Sequence, residues 1–435
     1  MIFSGKERAT RIKWLFEGCQ NGAWGDEPTG KGDIACIRAA DFDKQLGKLK
    51  NLERTFRSID EPTYRKVGLR PGDLIIEKSG GGDKQLVGRS VLFEDVQKSI
   101  CSNFLARLRP ASGTNPSFLN YLMLAIYSAR GTYPHIKQST GIQNLDTNSF
   151  LNIKADVPGI EKQEEIACFL DRKTARIDAL IEKKRVLLDR LAEKRQALIT
   201  QTVTRGLDLH IALKKPGVDW LSCVPEHWHI FPLKRVIAKI EQGWSPSADD
   251  KRAALDEWGV LKSGCVNAGV FNQDEHKTLP AGVDPKPLLE VKTGDVLMCR
   301  ASGSTAFIGS VALVESVRPH LMFSDKTYRI TLDTEQMAPQ FFTYLMASKP
   351  LRVQIALSIS GAEGLANNIS QSSVNEYVVC IPPIDEQKEI ASRLDQTVTA
   401  LSKAGAKIDE SISKLLEYRD SLVTGAVTGR HITQT

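Results

Sequence analysis

The chain is written twice. Residues 71–76 read PGDLII, and residues 293–298 read TGDVLM, 222 positions later. VGRSVLFE, ending at Glu94, recurs as IGSVALVE, ending at Glu315. Ser102 and Arg107 return as Ser324 and Arg329, Tyr121-Leu122-Met123 as Tyr344-Leu345-Met346, and Asn144-Leu145 as Asn368-Ile369. PGIEKQEEIACFL then matches PPIDEQKEIASRL, pairing Gln163 with Gln387 and Ile166 with Ile390. The offset drifts only from 221 to 224, so the copies differ by small loop insertions. A period this long duplicates a whole folding unit and excludes a short-repeat solenoid.

Each copy has two parts. The first is rich in short β-type runs: LIIE, VLF and ADV in one copy, VLMC, VALV and YVVCI in the other. Gly, Ser, Asp and Pro punctuate them, and helical patches such as PSFLNYLMLAIYSA lie between. This predicts a mixed α/β globular domain. The second part is helical. Steps of seven from Leu170 meet Ile177, Lys184, Leu191 and Leu198; in the other copy they meet Leu394, Leu401, Ile408, Leu415 and Leu422. A second apolar position three residues on holds Leu180 and Leu187, then Ala404 and Tyr418. Such a ladder, sustained over about four heptads, is a coiled-coil seam. Lys184, the one ladder position that is not aliphatic, snorkels to the edge or sets the register. Neither helix contains proline, and Pro158 and Pro383 sit just before them, where proline is tolerated. Each helix runs for about 42 residues, roughly 60 Å. Gln163 and Gln387, in the first turns, read as helix caps.

Two similar apolar stripes in one chain most simply bury each other, and the globular domain between them makes an antiparallel pair natural. The alternative is that each stripe packs on its own domain or on a second chain. The expected fold class is therefore α+β: two similar mixed α/β domains joined by two long helices in an antiparallel coiled coil, with an intramolecular pseudo-two-fold. The domain boundaries follow as 1–157, 158–215, 216–383 and 384–435. Symmetric DNA readers place two heads on half-sites about one helical turn apart. Diverged heads would read unlike half-sites.

Charge narrows the partners. The net +6 is spread as +6 over 1–157, +4 over 158–215, −3 over 216–383 and −1 over 384–435. Phosphate binding needs local positive charge, which the first copy carries; the second domain supplies it only through a local patch or a basic partner. No run is long and apolar enough for a membrane span, and the N-terminus does not read as a secretory signal. Eight cysteines form no CxxC pair and no zinc-finger spacing, which suits reduced, mostly buried thiols in a cytoplasm.

Motifs for chemistry are missing. The [DN]-P-P-[FYW] loop of an adenine methyltransferase is absent, because the only PP, Pro382-Pro383, follows Ile381. There is no GxxxxGK[ST] for a motor ATPase. Pro71-Gly72-Asp73 with Glu77-Lys78 echoes a PD-(D/E)xK nuclease at the wrong spacing, and its repeat positions are Cys299 and Arg300. No metal or cofactor is expected on this chain.

The binding candidates lie on the loop after each GD strand. Copy one gives Lys78, Ser79, Lys84 and Arg89 around Gly80-Gly81-Gly82; copy two gives Arg300, Ser302, Ser304 and Thr305. Cations and hydroxyls on glycine-rich loops reach phosphates and base edges; the competing reading is a solvated turn. Arg38 and Lys262 align after short strands as a second pair, with a surface ion pair as the duller explanation, and Lys137 in YPHIKQSTG is a third candidate.

The order of these segments resembles the DNA-specificity subunits of type I restriction–modification systems, in which recognition domain, conserved helix, second domain and second helix alternate. The Pro-x-x-Glu-Gln-like helix start is close in PPIDEQKEI (382–390) and looser in PGIEKQEEI (158–166). Family-like helix ends are KRQALITQTVTRGLD (194–208) and EYRDSLVTGAVTGRH (417–431), and GVDWLSCVPEHW (217–228) resembles the lead-in to a recognition domain. No counterpart of that lead-in opens the first domain. The resemblance implies a non-catalytic subunit that binds double-stranded DNA and two methyltransferase subunits, and through them two motor–nuclease subunits. S-adenosylmethionine, ATP and Mg²⁺ then belong to the partners. The alternative is a helical scaffold that spaces two protein-binding domains.

Overall fold

The computed structural model describes residues 9–82, 85–139, 141–208, 210–218, 223–247, 250–360 and 367–429. The chain divides into two units, one of 1–186 with 407–435 and one of 187–406. Each contains one mixed α/β domain and halves of both long helices.

At the centre of the first domain is a four-stranded antiparallel sheet ordered Phe16–Asn21, Leu105–Pro110, Leu74–Glu77, Ser90–Leu92. The second domain repeats it as Ile237–Gln242, Thr327–Leu332, Val296–Cys299, Val311–Leu313. The LIIE and VLMC runs are continuous rather than alternating because their strands are covered on both faces. Leu74 and Ile76 join one core cluster and Ile75 another. In the repeat, Val296 and Met298 join one and Leu297 and Cys299 the other.

One face is covered by the helix Pro116–Ser128, with proline at its start and an Asn115 side chain that accepts from the Phe118 N–H at 2.9 Å. The same cover in the second domain is broken into Pro339–Ala347 and Lys349–Ser358. Ser348 is extended there and Pro350 follows, which a continuous helix does not tolerate. The other face carries a three-stranded sheet. Its central strand, Ile34–Ile37, runs parallel to Ser99–Cys101 and antiparallel to Thr55–Arg57. Gly259–Leu261, Leu321–Met322 and His276–Thr278 repeat it. Five cysteines, at 36, 101, 265, 299 and 380, are buried, and burial pushes the Cys101 and Cys265 thiols up to about 12.

The long helices are Ile160–Arg205 and Ile384–Val427, 46 and 44 residues. No helix of the described residues is long and apolar enough to cross a membrane. Within each unit the halves run antiparallel. In the first, Leu170 packs in one cluster with Val423, Ala426 and Val427, while Asp178, farther along, meets Arg419. In the second, Leu188 lies 3.8 Å from where a Cβ of Gly405 would be, and Ile199 shares a cluster with Ile390 and Leu394.

One ladder position needs correction. Leu170, Ile177 and Leu394 are buried, and Leu191, Leu198, Leu401, Ile408, Leu415 and Leu422 are half-buried along the same seam. The second row, however, lies four residues on rather than three. It comprises Thr174, Ile181 and Leu188 in the first helix, and Val398, Gly405, Ile412, Arg419 and Ala426 in the second. Leu180, Leu187 and Tyr418 are 44%, 46% and 58% exposed. Thr, Gly and Arg in the true row hide it from a search for apolar residues.

The helix-start glutamines also differ from expectation. Neither caps its own first turn. Gln163 accepts from the Asn115 N–H at 3.0 Å and donates to the Pro158 carbonyl at 2.8 Å. Gln387 accepts from the Ala338 N–H at 2.9 Å and donates to the carbonyls of Gln336 and Pro382 at 2.8 and 2.9 Å. Each buried amide therefore bolts the start of the domain's covering helix to the start of a long one. A tyrosine repeats the attachment about two turns farther along the long helix: Tyr121 donates to Asp171 at 2.8 Å and Tyr344 to Asp395 at 2.6 Å. The lead-in segment is tied to the same place, with Trp228 fully buried and its indole N–H donating to Glu386 at 3.1 Å.

The first unit also buries a charge in the seam. Arg419 is 1% exposed, and its Nε donates to Asp178 at 2.8 Å; Lys48 of the domain reaches the other oxygen of Asp178 at 2.7 Å. Removing one partner of such a pair strands the other charge, which costs about 3–5 kcal/mol, whereas replacing both with apolar groups is close to neutral. Asp178→Leu is thus expected to lower stability by that amount in urea denaturation, and Asp178→Leu with Arg419→Met to restore most of it. A single variant no less stable than the double one would show that the pair does not hold this seam.

Candidate nucleic-acid interface

Each central sheet ends in the same backbone device. Past Leu74–Glu77, the N–H groups of Lys78 and Ser79 both donate to the Phe104 carbonyl, at 2.9 and 3.0 Å. Ser79–Gly80 then pairs antiparallel with Asn144 and Gln143. Gly80 and Gly81 have φ of 125° and 65°, which explains glycine at this turn. In the second domain the N–H groups of Arg300 and Ala301 both donate to the Lys326 carbonyl, at 2.8 and 3.2 Å, and Ala301–Ser302 pairs with Asn368 and Asn367.

This geometry brings three equivalent positions to the end of each sheet. In the first domain they are Asn21, Lys78 and Phe104, with the Lys78 ammonium donating to the Asn21 side-chain oxygen at 3.0 Å. In the second they are Gln242, Arg300 and Lys326. The Arg300 guanidinium lies 5.8 Å over the Tyr328 ring and donates to its hydroxyl at 3.0 Å. Beside the triplet, Ser79 donates to the Asn144 side-chain oxygen at 2.6 Å. A cation to hold a phosphate and amides able to donate and accept at once are the groups that duplex recognition uses. Behind Lys78, Glu77 is buried; burial raises its carboxyl, and the Lys44 ammonium at 2.7 Å opposes that rise.

The other candidates fall elsewhere. Ser302, Ser304 and Thr305 stay on the loop after Arg300, with the Ser302 hydroxyl accepting from the Ser304 N–H at 3.2 Å and Thr305 opening a short 3-10 turn. Arg89 is a correction. It is 5% exposed, donates to the Gln45 carbonyl at 2.9 Å and lies 5.0 Å over the Tyr127 ring, and burial lowers its pKa. It follows a glycine in the loop pattern but begins the next strand's inward face, so it is a core cation and not a surface contact. Lys84 lies outside the described residues. Arg38 and Lys262 sit at the end of the three-stranded sheets and are both ion-paired, to Asp41 at 3.3 Å and Asp250 at 3.2 Å. Lys137, on the strand Ile136–Ser139, is 79% exposed along its side chain and pairs with Asp146 at 2.9 Å.

Sequence reasoning missed Asn21 with Gln242 and Phe104 with Lys326, and it matched Asn144 with Asn368 without giving them a role. The signal was present: these pairs are separated by 221, 222 and 224 residues, the spacings of the repeat itself.

The family model described as "Type I restriction modification DNA specificity domain" matches twice, over 27–189 and 225–411. The EcoKI specificity subunit of Escherichia coli K12 is 22% identical over 365 residues, 83% of this chain and 75% of that protein. The EcoEI specificity subunit of Escherichia coli is 27% identical over 205 residues, but that match spans only 47% of this chain and 34% of the relative. A solved structure from work on complex assembly and conformational transition of the type I R-M system shares the fold, with a TM-score of 0.59 at 17% identity over 98% of this chain and 99% of that one. The chain belongs to the type I restriction–modification DNA specificity family.

Removing one cation that holds a phosphate should flatten the dependence of log affinity on log salt by about one unit. Lys78→Ala and Arg300→Ala are each expected to do so for duplex DNA, read by fluorescence anisotropy across a salt series. An unchanged slope in both variants would move the interface away from the sheet ends.

Proposed function

We propose that this chain is the sequence reader of a type I restriction–modification complex and does no chemistry itself. It binds an asymmetric target of two unlike half-sites separated by a fixed non-specific spacer, one half-site per domain. It docks two adenine-N6 methyltransferase subunits and, through them, motor–nuclease subunits. S-adenosylmethionine, ATP and Mg²⁺ sit on those partners, and the complex works in the cytoplasm.

The observation that carries this reading is the double sheet end. One backbone device presents an amide, a cation and a third side chain in both domains, yet the residues differ: Asn21, Lys78 and Phe104 against Gln242, Arg300 and Lys326. Shared scaffolding with different side chains is what reading two different sequences requires. Family membership supports the DNA target. The missing methyltransferase and ATPase motifs support a reader that depends on partners for catalysis.

The test is an exchange of residues 1–157 for the corresponding domain of a relative, followed by mapping of methylated adenines in a host carrying the complete system. One half-site is expected to change while the other half-site and the spacer stay. A change in both halves would refute one domain per half-site. DNA retention that does not depend on this chain would instead favour a scaffold.

A further inference from the structure

The two sheet ends agree at two of their three positions in chemical type. Asn21 and Gln242 are amides, and Lys78 and Arg300 are cations. The third position departs: Phe104 in the first copy corresponds to Lys326 in the second. The backbone does not select either side chain, because the main-chain carbonyl does the same work in both, taking two N–H groups of the neighbouring strand.

The phenyl ring is open to solvent. Phe104 is 50% exposed and belongs to none of the described hydrophobic clusters. It leads into the middle strand of the sheet, between the strands that carry Asn21 and Lys78, whose side chains meet at 3.0 Å. A second large apolar side chain, Ile142, is 51% exposed on the strand that pairs with Ser79–Gly80. Single exposed apolar residues are ordinary on a surface. Here the Phe104 backbone takes the N–H groups of Lys78 and Ser79, and Ile142 stands two residues from Asn144, the partner of Ser79, so apolar, cationic and amide residues converge on one sheet end, and that composition indicates an occupant. Cation and amides match the phosphates and polar base edges of a duplex, and the one apolar group on the major-groove edge of a base is the thymine methyl.

We propose that Phe104 is a specificity-determining residue of the first domain, contacting thymine methyl groups in its half of the target. The proposal rests on the reading of the sheet end as DNA-facing. Lys326 presents a charge at the equivalent position, so the second domain makes no such contact there.

Deoxyuridine differs from thymidine by that methyl alone, which gives a direct test. With the target mapped and its halves assigned by domain exchange, duplexes are made in which thymines of one half-site are replaced by deoxyuridine. Binding by the assembled methyltransferase complex is then measured. Burying one methyl group corresponds to about a fourfold change in affinity. The first half-site is expected to show a loss of about that size with the unaltered complex, and the second to show none at this position. Phe104→Ala, which truncates a half-exposed side chain, should bind the thymine duplex more weakly and no longer distinguish it from the deoxyuridine one. Lys326→Phe should create discrimination in the second half-site. A first half-site without thymine, or Phe104→Ala with full discrimination, would overturn the assignment while leaving the reader intact. A complex that binds no duplex at all would overturn the reader itself.

Discussion

Each long helix carries an apolar stripe that water would leave exposed on a lone helix. In each unit the stripe is buried against the other long helix, with contacts that alternate four and three residues apart, as Leu170, Thr174, Ile177 and Ile181 show. That alternation keeps one seam in register over many turns, because seven residues make nearly two turns of helix. The seam is not uniformly apolar. Arg419 and Asp178 occupy it in the first unit, and Gly405 lets Leu188 approach in the second. Such polar and small residues add little to stability, but they make sliding of one helix past the other unfavourable.

The globular domains depend on that helix pair through a few buried polar bonds. Gln163 and Gln387 each satisfy a backbone N–H at the start of the covering helix and carbonyls next to the long helix. An amide suits this place because it donates and accepts in fixed directions, and a buried backbone group without a partner is costly. The tyrosine–aspartate bonds at Tyr121 and Tyr344 add a second attachment. Two directional anchors define an orientation that apolar packing alone would leave loose.

The sheet ends show the opposite economy. Their backbone pattern is fixed by strand pairing and a shared carbonyl, so the side chains there are free to differ. Lys78 and Arg300 hold the same position by different contacts, one to Asn21 and the other to Tyr328. A substitution at such a position changes side-chain contacts and leaves the backbone pairing as it is.

The sequence by itself determined the duplication, the two mixed domains, the long helices beginning after Pro158 and Pro383, and one row of the seam. Each is written in local pattern: period, apolar run, proline placement. Tertiary structure alone decided the rest. Thr174, Gly405 and Arg419 carry no apolar signal, so only packing shows them in the seam. Arg89 sits two residues from Val87 in a loop-like stretch, and only the fold brings Tyr127 and the Gln45 carbonyl around it. Asn21, Lys78, Phe104 and Asn144 are far apart in the chain and become neighbours because three strands of one sheet meet at that end and a fourth, from another sheet, pairs with Ser79–Gly80. Periodicity reports which way a residue faces within its own element, whereas a site is a meeting of elements, and that is set by long-range pairing.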